Sequence, residues 1–110
     1  MSFLLHFARA LQIRSRQNQA QLEMMQISNR QAAITNQMAS MEQMAKTLDK
    51  DNPGIQMMQQ TKQMLVTMSN ALDLRLKQLQ TRVQALSNEE QALDKIMPDI
   101  VAKSAPKYCA

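Results

Sequence analysis

The chain has 110 residues, a net charge of +4, one glycine, one cysteine, no tryptophan and only two phenylalanines and one tyrosine. This length allows one small domain, and the shortage of glycine and aromatic residues argues against a sheet protein or a conventional globular core. Alanine, leucine, methionine, glutamine, lysine and arginine dominate the sequence, so the composition predicts an all-α fold. The mild positive charge does not call for a specific nucleic-acid partner.

Two lines of residues repeat every seven positions through the first part of the chain. Such paired lines predict one long helix over about residues 3–49 with a continuous packing stripe. One line is His6, Ile13, Ala20, Ile27, Ile34, Met41 and Leu48, and the other is Phe3, Ala10, Gln17, Met24, Gln31, Met38 and Ala45.

The sequence Asp49-Lys50-Asp51-Asn52-Pro53-Gly54 interrupts this pattern. Pro53 disfavours a helical conformation at Asn52, which is then well suited to be an N-cap, and proline is tolerated at the first helical position. We therefore predict a turn over 50–53. A connection this short is typical of antiparallel neighbouring helices.

A leucine line marks the second helix, which we predict over about residues 53–97. Its members are Met58, Leu65, Leu72, Leu79, Leu86, Leu93 and Ile100, and a second line, four residues further on, is Ser69, Leu76, Val83, Glu90 and Met97. Pro98 is expected to end or kink the helix, leaving a tail over 98–110. The predicted fold is one domain over 1–110: an extended antiparallel two-helix hairpin with coiled-coil-like heptads and a short kinked C-terminal segment.

The residues beside the leucine line differ on its two sides. The first flank carries Met68, Arg75, Arg82 and Glu89, and the second flank carries Val66, Asp73, Gln80, Ser87 and Asp94. These flanks give no complementary charge ladder in a parallel dimer, so they favour an antiparallel or multi-helix arrangement. A DNA-binding zipper is disfavoured because Lys62 is the only charged residue between Asn52 and Met64.

Two sets of residues are predicted to make helix–helix contacts. The interaction seam consists of Ile27, Ile34, Met38, Met41, Leu48, Leu65, Leu72, Leu76, Leu79, Val83, Leu86 and Leu93. A second packing face is expected from methionines off or beside the seam, since methionine adapts to partner surfaces. Its members are Met25, Met44, Met57, Met64 and Met68. The glutamine-rich polar face also favours packing against another chain, because glutamine tolerates close packing without burying a charge.

No catalytic, cofactor-binding or metal site is predicted. His6 lacks a nearby acid, thiol or second histidine, and a chain with one glycine has no phosphate-binding loop. Met38, Met41 and Met44 have a spacing that suits Cu(I), but Met38 and Met41 are already required by the seam, so packing is the favoured interpretation. Cys109 is expected to be a free thiol, with a bridge between two chains as the alternative.

The plan of two long helices joined by a turn at Asp51-Asn52-Pro53 is similar in outline to small secreted hairpin subunits. These include the needle proteins of type III secretion and the WXG100 class, although the tryptophan that marks the latter is absent. The resemblance identifies no family. It implies a secreted, self-assembling subunit.

The function we predict is that of a non-enzymatic structural subunit, which forms a homo-oligomeric bundle or filament through its heptad and Met/Gln-rich faces. The alternative is a coiled-coil adaptor or chaperone that binds a heterologous helix. Membrane-surface contact by the basic, apolar N-terminus, with Phe3, Leu4, Leu5 and Phe7, is left open but not favoured. Neither a signal peptide nor a transmembrane helix is evident, and the sequence leaves the localisation open between the cytoplasm and export without a classical signal.

Overall fold

The structure is a computed structural model that describes the backbone of residues 2–108 and the side chains of residues 3–101. It contains two long helices, α1 over Ser2–Thr47 and α2 over Pro53–Tyr108, and no strand among the residues described. The predicted all-α helical hairpin is therefore confirmed. Cys109, for which we weighed a free thiol against a bridge, lies outside the described residues.

The turn has the cap that its sequence predicts. The Gly54 N–H donates to Asn52 Oδ1 at 2.8 Å, and the Ile55 N–H donates to the Asn52 carbonyl at 3.0 Å. Asn52 is thus the N-cap of α2 and Pro53 its first residue. At the other side of the turn, the Thr47 hydroxyl donates to the Met44 carbonyl at 2.7 Å and satisfies an acceptor at the end of α1.

The cap gives a prediction for the turn. Asn52→Ala removes the side-chain acceptor and should lower the free energy of unfolding by about 1 kcal/mol. Asn52→Asp keeps an acceptor and should retain most of that stability. Urea unfolding followed by circular dichroism measures both variants, and an alanine variant as stable as the aspartate variant would contradict the cap assignment.

The end of α2 differs from the prediction. Pro98 was expected to end or kink α2 near Met97, with a tail over 98–110, yet the helix continues through Pro98 to Tyr108. A proline inside a helix removes one backbone hydrogen bond at a cost of about 3 kcal/mol. The leucine line extends beyond Pro98, because its next member, Ile100, is partly buried. Packing at this position offsets part of the cost.

The chain divides into two compact units whose boundaries fall within both helices. Unit 1 comprises Met1–Leu22 with Leu79–Ala110, and unit 2 comprises Glu23–Gln78. In unit 1 the buried residues Ile13, Leu86 and Leu93 form a cluster against which Ala10 packs. In unit 2 Glu42 contacts Lys62 and Glu23 contacts Arg75, so the two helix segments run antiparallel. The single-domain organisation stays a prediction.

The core consists of the two principal heptad lines. Every buried hydrophobic residue in the described part of the chain belongs to one of them: Ile13, Ala20, Ile27, Ile34, Leu65, Leu79, Leu86 and Leu93. The accompanying lines, from Phe3 to Ala45 and from Ser69 to Met97, are partly buried throughout. Each helix therefore buries one line and shields it with the next, as expected when only one face of each helix packs against the other.

Candidate interaction surface

The predicted interaction seam lies between the helices. Six of its twelve residues are buried and the other six are partly buried; the partly buried ones are Met38, Met41, Leu48, Leu72, Leu76 and Val83. The seam in the structure thus consists of side chains that α1 and α2 largely shield from solvent. Its role in contacts with other molecules stays a prediction.

The five methionines of the second packing face are all exposed. Their exposed fractions are 61% for Met25, 56% for Met44, 71% for Met57, 66% for Met64 and 51% for Met68. Met64 and Met68 are four residues apart and Met57 precedes Met64 by seven, so these three share one side of α2. Met25 and Met44 are on α1, and their spacing of nineteen residues turns them about 100° away from each other. The structure therefore brings three of the five together on α2.

A groove opens beside Met68 in unit 2. It has a volume of about 480 Å³ and is lined by Arg30, Ala33, Ile34, Met68, Ala71 and Leu72. Ile34 is buried at its base, and Leu72 is the one leucine of the leucine line that is only partly buried. The small side chains of Ala33 and Ala71 leave this space, and its lining is apolar apart from Arg30. The volume is that of a small-molecule pocket, but the groove is an open cleft suited to side chains of another protein.

Sequence reasoning missed this groove. The seam was treated as a continuous strip of apolar residues, and the alanines beside it were not considered. The sequence offered one signal for the groove: two seam residues, Ile34 and Leu72, each directly follow an alanine, Ala33 and Ala71. Where two such pairs meet across an antiparallel seam, the packing leaves an opening.

Arginine–glutamate pairs join the helices on the first flank of both units. In unit 1, Arg9 Nε and Nη2 donate to the two carboxylate oxygens of Glu89 at 2.6 and 2.8 Å. In unit 2, Arg75 donates to both oxygens of Glu23 at 2.8 and 3.2 Å. These two-point contacts fix the register of the helices more than they add stability, because the four side chains are partly exposed.

Each arginine–glutamate pair also determines which residues face each other one heptad further along the two helices. In unit 2, a step of seven residues in opposite directions from Glu23 and Arg75 leads to Arg30 and Met68, which line the same groove. In unit 1, the same step from Arg9 and Glu89 leads to Arg16 and Arg82. Arg16 lies close enough to Glu89 to contribute, after Arg9, to lowering the pKa of its carboxyl. The register therefore sets two arginines opposite each other on the first flank.

The Arg9–Glu89 pair makes stability depend on pH. The hydrogen bonds from Arg9 lower the pKa of Glu89 below 4.5, its ordinary value. A carboxyl with a lowered pKa in the folded state contributes stability above its unfolded pKa, and this contribution is lost as the pH falls through the folded value. We expect Glu89→Gln to lower the melting temperature slightly near pH 7 and to have no effect near pH 2.

Thermal unfolding at both pH values measures this difference. Asp99→Asn is the matched control, because Asp99 is exposed, lies on α2 in unit 1 and forms no salt bridge with a described residue. The assignment is contradicted if Glu89→Gln and Asp99→Asn shift the melting temperature equally at both pH values.

No family model, curated protein or solved structure matches the chain significantly. The surface must therefore be interpreted from its own chemistry. Within the described ranges, His, Cys, Asp and Glu residues form no group of three or more able to hold a metal ion. Over the same residues, neither helix contains a segment that is both long and apolar enough to cross a bilayer. The surface features described above that could contact another molecule are the exposed methionines, the apolar groove and the charged flanks.

Proposed function

We propose that the protein is a non-enzymatic structural subunit that self-associates through its exposed apolar helix faces into a homo-oligomer or filament. The observation that carries this proposal is the row of Met57, Met64 and Met68, all at least half exposed, beside an open apolar groove. Fourteen large hydrophobic residues of the described chain are exposed, and a hairpin covers only one face of each helix by itself. Such a surface is typical of a protein that packs against another chain.

The flexible methionine side chains suit this role. Met68 borders the groove, and Met64 lies one helical turn before it on the same side of α2. Thioether side chains adopt many rotamers, so they fill irregular space between packed helices. Exposed leucines elsewhere, such as Leu74 with 60% of its surface accessible, add to the apolar area available to further copies.

Light scattering over a hundredfold dilution, with negative-stain images of the same samples, tests this proposal. We expect particle size to grow with concentration. Replacing Met57, Met64 and Met68 together by glutamine should raise the concentration needed for association about 100-fold. This estimate takes about 1 kcal/mol for each half-exposed methionine and a tenfold change in affinity for every 1.4 kcal/mol.

The matched control replaces the same three methionines by leucine, which keeps apolar area and helix propensity. This variant should associate as the wild type does. A wild-type chain that stays a folded monomer across the whole range contradicts self-association.

A coiled-coil adaptor that binds a heterologous helix is the second candidate, and the groove of about 480 Å³ between two antiparallel helix segments favours it. An amphipathic helix inserts side chains into such a groove. A chain that is monomeric when pure but gains helicity and stability with a partner supports this candidate. Growth of the pure chain into rods supports the first.

A further inference from the structure

The first flank of unit 1 carries excess positive charge. Arg9 and Glu89 neutralise each other through their paired hydrogen bonds. The heptad register sets Arg16 opposite Arg82, and neither forms a salt bridge with another described residue. We call Arg9, Arg16, Arg82 and Glu89 the arginine flank; its net charge is +2. Like charges placed opposite each other repel, and the carboxylate near Arg16, that of Glu89, is already held by Arg9.

The other side of the seam in unit 1 has the opposite sign. Asp94 of the second flank lies four residues after Glu90 of the adjoining heptad line on α2. Together with Arg14 these two carboxylates border a cavity of about 160 Å³ whose other lining residues are Phe7, Ala10 and Leu11. None of these three charged groups forms a salt bridge with a described residue. We call Arg14, Glu90 and Asp94 the carboxylate flank; its net charge is −1. The flank has apolar area too, since Phe7 and Leu11 are 48% and 54% exposed.

We propose that the arginine flank of one copy docks on the carboxylate flank of a second copy of this chain. This inference rests on the proposed function, because it requires self-association, and it specifies which surfaces meet. Arginine suits the contact, since its guanidinium binds carboxylates with two donors while its aliphatic stem packs on apolar surface. Stems of Arg16 and Arg82 would lie over Phe7 and Leu11 while their guanidinium groups reach Glu90 and Asp94.

The two flanks lie on opposite sides of the seam, so this contact is heterologous. Each added copy leaves one arginine flank and one carboxylate flank free, and the contact therefore repeats until a ring closes or a filament grows. A two-fold symmetric contact through the arginine flank would instead oppose Arg16 and Arg82 of one copy to those of the other. Charge thus favours repetition of the contact over a closed dimer.

Charge reversal tests the pairing of the flanks. Variant A carries Arg16→Glu and Arg82→Glu, and variant B carries Glu90→Arg and Asp94→Arg. In each variant alone the two flanks have the same sign, so we expect association to need at least about tenfold higher concentration than the wild type. In an equimolar mixture, the arginine flank of A, now negative, can dock on the carboxylate flank of B, now positive. Mixing should therefore restore association, which sedimentation velocity measures.

Two controls match the changes in net charge away from both flanks. Lys50→Glu with Lys95→Glu matches variant A, and Asp49→Arg with Asp51→Arg matches variant B; all four side chains are exposed. Both controls should associate as the wild type does. Association of the wild type should also weaken at high salt, because surface charges are screened. Circular dichroism verifies that every variant is folded.

The results separate this inference from the proposed function. A wild-type chain that never associates contradicts the proposed function. If the wild type associates, then association of A or B alone at the wild-type concentration overturns the pairing, as does a mixture of folded A and B that fails to recover. A wild-type dimer that does not grow with concentration also overturns it.

If variant A or B fails to fold, the neutral pairs Arg16→Gln/Arg82→Gln and Glu90→Gln/Asp94→Gln replace them. Each neutral variant should associate more weakly than the wild type. Their mixture should form dimers that do not grow, because the unchanged arginine flank of one variant can dock on the unchanged carboxylate flank of the other, whereas the contact between the two neutral flanks stays weak. Neutral variants that associate as well as the wild type overturn the pairing.

Discussion

Leu79→Asp is expected to unfold most of the protein. Leu79 has no exposed surface and lies on the leucine line of α2. Removing this side chain alone costs about 2–5 kcal/mol, and placing an unpaired carboxylate in an apolar position adds several kcal/mol more. A small domain is stable by about 5–15 kcal/mol in total, so most of that margin is lost.

Far-ultraviolet circular dichroism at 25 °C measures the loss of helix. Leu74→Asp is the matched control, because Leu74 is on the same helix but 60% exposed. It should change helicity little. Wild-type helicity in Leu79→Asp would show that the leucine line is not the buried face of α2.

Ile13→Ala is expected to give the second-largest loss of stability. Ile13 is fully buried and belongs to the cluster with Leu86 and Leu93, against which Ala10 packs. Truncation removes apolar contacts from both helices and leaves a cavity, which together cost about 2–5 kcal/mol. The variant should remain folded but unfold at a distinctly lower urea concentration.

Ile96→Ala is the control for residue type, since Ile96 is 44% exposed and lies outside that cluster. We expect it to lose less than about 1 kcal/mol, because fewer contacts disappear and alanine has the higher helix propensity. Urea unfolding curves give both values, provided that their slopes agree. Equal losses for Ile13→Ala and Ile96→Ala would contradict the cluster in unit 1.

The fold was predictable because its signals are local and periodic. The seven-residue lines contain every buried hydrophobic residue described, and Asn52 and Pro53 mark the start of α2 as their chemistry predicts. Local signals at Pro98 predicted that α2 would either end or kink there but did not decide between the two, because a proline penalty competes with packing that depends on the other helix.

The surface was only partly predictable. Exposure of methionines such as Met57 and Met64 follows from their positions off the seam lines. The groove and the Arg9–Glu89 pair depend on which residue of α1 faces which residue of α2. That register comes from the turn and from side-chain fit across the two helices, so the sequence periodicity of either helix alone does not contain it.

The sequence separation of the ion pairs has a consequence for the folding pathway. The pairs Lys62–Glu42, Arg75–Glu23 and Arg9–Glu89 join residues 20, 52 and 80 positions apart. Closing a longer loop costs more chain entropy, so contacts next to the Asn52 turn form at the smallest entropic cost. Once formed, they shorten the loop that the next, more distant contact has to close. We therefore expect folding to proceed outward from the turn. Changes at Asn52 should then act chiefly on the folding rate, and changes at Ile13 chiefly on the unfolding rate.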